Sequence, residues 1–162
     1  MKTCILSVLF FVFGSPAINA ENQPQSFDKS GFYSVMASGK IDDINNEITL
    51  VSSSGDSYKE GYEGALLMRK AGLLKIPAEK LKYFKRGRIK LETALLNDKD
   101  NVEYHFLRLT IQEHAPKIVR YNKEIEVDKE YIKRSFKNLS PVVQQAIINY
   151  SKGSKILNAQ DF

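Results

Sequence analysis

The amino-acid sequence predicts an all-α fold of about six to seven antiparallel helices in a single domain over residues 31–162. Two observations predict it. From Gly31 onward the apolar residues recur every three to four positions, and no strand-like alternation lies between turn residues. Start and stop residues also cut the chain at helical lengths, at Gly39, Gly55, Pro77, Pro116, Pro141 and Gly153.

The N-terminal stretch "MKTCILSVLFFVFGSPAINA" reads as a cleaved signal peptide, residues 1–20. Lys2 supplies the positive end and Ile5 to Phe13 the apolar run. Gly14-Ser15-Pro16 breaks that run, and Ile18-Asn19-Ala20 forms the cleavage site. The run is too short to span a bilayer as a helix. The expected location is therefore periplasmic or secreted, with no membrane-spanning segment. The one cysteine, Cys4, lies inside this peptide. The mature chain would then hold no disulfide and no thiol site, and its core alone must stabilise it. Residues 21–30, "ENQPQSFDKS", are polar and contain Pro24, and they read as a flexible leader.

The first helix is expected over Phe32 to Ala37, stopped by Ser38-Gly39. Ile41, Ile44, Ile48 and Val51 share one face of the second, closed by the serines before Gly55. Asp56 or Ser57 caps a third, from about Tyr58 to Leu74. Its glycines, Gly61, Gly64 and Gly72, each cost up to about 1 kcal/mol against alanine, and their spacing suggests a close helix crossing. Pro77 opens a fourth helix running to about Leu96, with Leu81, Phe84, Leu91 and Leu95 on one face. Asp100 or Asn101 caps a fifth that ends near His114 before Pro116. One further turn follows at Lys117 to Tyr121. Asp128 is expected to cap a sixth helix over Lys129 to Lys137. Ser140-Pro141 starts a seventh, ended by Gly153, and Ile156, Leu157 and Phe162 of the tail dock on the body.

Residues 84–111 read "FKRGRIKLETALLNDKDNVEYHFLRLTI". This stretch resembles the junction between two tetratricopeptide-type (TPR) repeats. Ala94-Leu95 closes one helix, Asp98 and Asn101 make a polar turn, and Tyr104 and Leu107 enter the next. Lys99 stands where that family usually has proline. The chain also resembles a small family of exported bacterial helical proteins of unknown function, in "FKRGRIKLE", "EYHFLRLTIQE" and the ending "SKILNAQDF". These resemblances imply a TPR-like right-handed array that offers a concave face to a partner, and they imply no activity.

At 100° per residue the fifth helix is apolar on two sides. Val102, Phe106 and Leu109 mark one face, and Tyr104, Leu107 and Ile111 nearly the opposite one. Such a helix should be sandwiched. Between the faces runs a polar stripe of Asn101, His105, Arg108 and Gln112. Arg108 can grip a carboxylate bidentately, so the stripe is the candidate ligand- or partner-binding site. The competing expectation is a stripe facing solvent or paired with neighbouring acids. Arg88 falls on the apolar face of the fourth helix, where a charge needs a partner. Structural ion pairs are therefore expected among Arg88, Arg108, Glu92, Glu103 and Glu113. Lys82, Arg86 and Lys90 form a four-residue ladder, the candidate basic surface.

His105 and His114 are nine apart, which does not build a metal site on one helix, and no metal or other cofactor is called for. No phosphate loop or nucleophile motif occurs, so no catalytic residue is assigned. The formal charge is +5. That is too mild to argue for nucleic acid, and it permits an anionic ligand. The expectation is an exported, non-enzymatic interaction module that binds a peptide, protein or other anionic partner in a groove beside helix 101–114. The alternative is a small cell-wall or carbohydrate-active enzyme using a cleft glutamate. A third reading is a structural subunit docked through its basic fourth helix. Oligomeric state is not legible.

Overall fold

The computed structural model describes residues 27–162. The signal-peptide segment and most of the leader lie outside them. The described residues form seven α-helices and no strand. The helices are α1 Lys29–Ser38, α2 Ile41–Ser53, α3 Lys59–Leu73, α4 Pro77–Asn97, α5 Val102–His114, α6 Ile125–Ser135 and α7 Pro141–Ser151. Short 3-10 turns occupy Lys117–Val119, Phe136–Asn138 and Ala159–Asp161. Among the described residues no helix is long and apolar enough to cross a membrane.

Local chemistry explains most boundaries. Gly39 ends α1 in the left-handed conformation at φ 65°, which an L side chain rarely adopts. Pro77 occupies the first turn of α4, and Pro141 that of α7. Asn101 caps α5, its side chain accepting from the Tyr104 amide at 3.2 Å. Two boundaries differ from the sequence expectation. The folded body starts earlier, because Asp28 caps α1 and Phe27 stacks on Tyr62 with centroids 4.4 Å apart. Residues 27–30 of the expected leader thus belong to the domain. Helix α6 begins at Ile125 rather than after Asp128. The Asp128 amide already bonds back to the Glu124 carbonyl, and its carboxylate points inward instead of capping.

The most extensive helix contact is α3 on α4. The pair is antiparallel, since Glu60 and Glu63 meet Lys90 near one end while Lys70 lies over the Tyr83 ring near the other. Gly64 and Gly87 sit at the crossing. A Cβ on Gly64 would come 2.7 Å from the Leu91 nitrogen, and one on Gly87 would come 2.5 Å from the Gly64 oxygen. Gly61 lies under the Tyr104 ring. Gly72, expected in the same crossing, has nothing within 4 Å.

Helix α5 is the centre of the molecule. Tyr104, Leu107 and Ile111 enter one core cluster with Phe32, Ile44, Leu66 and Leu91. Phe106 and Leu109 enter a second with Ile132, Val143, Ile147 and Leu157. The two apolar faces read from the sequence face these two clusters. The tail docks as expected. Leu157 is fully buried, Phe162 lies 4.7 Å from Phe136, and Lys133 bridges Asp161 at 3.1 Å.

Candidate functional site

One helical stripe from each of five helices lines a half-open trough of about 1820 Å³. Buried Met68, Phe106, Leu107 and Ile111, from α3 and α5, make its floor. The α4 wall carries Leu81 and Phe84 among Lys80, Lys85 and Arg88. Offsets of one, four, five and eight residues from Lys80 put these groups on one side of a helix. Facing them, α1 presents Ser30, Tyr33, Ser34 and Ser38, and α7 presents Val142, Gln145 and Asn149. Arg69, from α3, also reaches the lining, with its Nε donating to the Met36 carbonyl at 3.0 Å.

The charge is one-sided. Lys80, Lys85, Arg88 and Arg69 border the trough, and no described lining residue is Asp or Glu. Leu81 and Val142 are exposed at 48% and 40%, and Ile118 at the end of the trough at 89%. Arg88 lies over the Tyr121 ring at 4.8 Å, and Phe84 meets the same ring edge-on at 5.6 Å. The expectation that Arg88 needs a carboxylate fails for a physical reason. Its helix face opens onto the trough, the guanidinium stays exposed, and an aromatic face suffices.

The stripe expected to bind a partner is instead internal. Asn101 is spent on the cap and on Asp98, to which its Nδ2 donates at 2.9 Å. Arg108 is 8% exposed. It donates from Nε and Nη2 to the two Asp128 oxygens, at 2.8 and 2.7 Å, and from Nη1 to Glu92 at 3.1 Å. His105 stacks under Tyr131 at 4.1 Å and lies between Asp128 Oδ1, at 2.6 Å, and the Lys99 carbonyl, at 2.8 Å. Gln112 is buried, with its Oε1 lacking a partner among the described residues, beside a small pocket of about 130 Å³. The bidentate grip predicted for Arg108 exists, but its carboxylate is the chain's own Asp128, fully buried on α6. His105 and Arg108 therefore tie α5 to α6, Asn101 closes its own cap, and Gln112 is buried beside them.

The expected acids resolve into three separate anchors. Glu92 is the one that meets an arginine, Arg108, and it also accepts from Tyr121 Oη at 2.6 Å. Glu103 accepts from Tyr33 and Tyr62 and pairs with Lys29. Glu113 accepts from Tyr150 Oη, Ser154 Oγ and the Lys155 amide, at 2.6, 2.7 and 2.6 Å. Burial would raise the Glu113 pKa, but these three donors outweigh it and hold the carboxyl below its ordinary range. Burial would lower Arg108, and its bonds to Asp128 reverse that and hold it above its ordinary value. Burial first, then Glu103, pushes Tyr33 and Tyr62 up.

The basic ladder is also broken. Lys82 and Arg86 are exposed, but Lys90 is bound to Glu60 and Glu63 at 2.6 and 3.2 Å. The usable cations of α4 are Lys80, Lys85 and Arg88, one face round. Their signal was present in the sequence as lysines interleaved with Leu81 and Phe84, the pattern of a wet groove wall rather than a core face. No known protein family, curated protein or solved structure matches this chain.

Proposed function

We propose that the chain is an exported, non-enzymatic binding module that holds an anionic partner in the trough beside α5. The observation that carries this reading is the lining. Apolar floor and wall residues are bordered by four cations and by no carboxylate among the described residues. An apolar trough repels charge unless the ligand neutralises the rim, so an anionic amphiphilic partner is the complementary one. Export is supported by the charged, apolar and small-residue order of residues 1–20. A TPR-like right-handed arrangement fits the antiparallel α3–α4 pair and the short connection from α4 to α5, and membership of the exported helical family rests on the three sequence phrases alone.

The runner-up, a carbohydrate-active enzyme, needs a general-acid carboxyl facing the cleft. Glu92, Glu103 and Glu113 all lie outside the trough lining, bound to tyrosines. The test is co-elution of partners from an envelope extract. Wild-type chain is expected to retain a partner at low salt and release it at high salt. The Lys80→Glu/Lys85→Glu/Arg88→Glu chain should retain none while melting at the wild-type temperature. Retention by the triple variant would refute the trough as the site.

A further inference from the structure

Resting on that reading, we infer that the occupant is an amphipathic α-helix of a partner protein, with acidic residues along one flank. Size argues first. Pockets for small ligands span about 300–1,000 Å³, and the trough, at about 1820 Å³, lies well beyond them. A helix is about 10–12 Å across with its side chains and needs a groove of this kind, walled by helices on both sides.

Chemistry then sets the register of that helix. The floor, Phe106, Leu107 and Ile111 with Met68, is apolar and suits an i, i+3, i+4, i+7 stripe. The α4 wall places Lys80, Lys85 and Arg88 along eight residues, about 12 Å of helix. Acids spaced over two turns of the guest would face them. The opposite wall is uncharged and mixed, with serines from α1 and Gln145 and Asn149 from α7 set among Met36, Val142 and Ala146. It suits amide and hydroxyl groups on the other flank of the guest. A fatty acid would use one cation and leave the other wall's amides unmatched. The chain's own apolar run, Ile5 to Phe13, contains no acid and follows Lys2, so it does not complement the rim.

Fluorescence anisotropy with defined probes tests this on the purified exported chain. The probes are a synthetic peptide with a leucine stripe and one glutamate flank, the same peptide with lysines for glutamates, and oleate. The acidic peptide should bind saturably and gain helical circular dichroism on binding. Binding should be roughly tenfold weaker for the lysine peptide and for the Lys80→Glu/Lys85→Glu/Arg88→Glu chain. No saturable binding of the acidic peptide while oleate does bind would overturn the helix and leave the binding role intact. So would self-association of the chain that excludes the peptide. Failure of all three probes, together with envelope partners kept by the triple variant, would overturn both.

Discussion

Arg108 shows how one side chain can be read correctly and placed wrongly. Its spacing with His105 and Gln112 marks a single face of α5, and its chemistry is that of a carboxylate clamp. A sequence read without neighbours does not say which helix covers that face. Helix α6 does, through Asp128, which the sequence offered as a helix cap. Removing a partner from a buried pair leaves the other charge unpaired. Arg108→Ala should therefore cost about 3–5 kcal/mol in urea unfolding. A loss under about 1 kcal/mol, the range of exposed pairs, would mean that the cluster is solvated in solution. Glu113 gives a pH prediction. Its folded pKa is depressed, so the unfolded chain binds the proton more readily. Its contribution is complete above the ordinary glutamate pKa, about 4.3, and is lost as the pH falls through the lower folded value. Glu47 is shifted up by burial and Asp28, and it opposes this trend. The comparison is therefore by difference. Glu113→Gln should be less stable than wild type at neutral pH, and the gap should narrow on acidification in a series of chemical denaturations.

The helices themselves were legible. Pro77, Pro141, Asn101 and Gly39 act through short-range backbone chemistry, so α4, α7, α5 and α1 end close to where the sequence places them. The sandwich of α5 was legible as well, since two apolar faces on one helix demand two neighbours. What periodicity could not separate was an apolar face on the core from one on an open groove. Leu81 belongs to the second kind, Leu91 and Leu95 on the same helix belong to the first, and Phe84 lies between, lining the trough and packing on the core. The glycines of α3 and α4 divide in the same way. Gly87→Ala presses a methyl group on the Gly64 backbone, and a backbone cannot swing aside. A loss of about 1–3 kcal/mol is expected. Gly72→Ala, with open space around it, should be neutral or gain up to about 1 kcal/mol from helix propensity. Thermal melts of the two variants check both signs.

Taken together, seven helices bury two cores around α5 and leave one large concavity between α1, α4 and α7. Among the described residues no acid lines it, Glu92, Glu103 and Glu113 are held by tyrosines elsewhere, and cations stay on its α4 wall. Because Lys85 and Arg88 are exposed and have no carboxylate partner among the described residues, reversing both should cost no more than about 1 kcal/mol, the worth of the Arg88–Tyr121 contact. The central claim is that partners seat in this trough and not over the Asn101–Gln112 stripe. A photo-crosslinking scan tests it most directly. A photoreactive phenylalanine analogue is placed at Leu81 or Val142 in the trough, at Tyr131 over His105, or at Leu50 on α2. Adducts from Leu81 and Val142, and none from Tyr131 or Leu50, are the predicted result. Adducts from Tyr131 alone would return the site to the polar stripe and contradict the account.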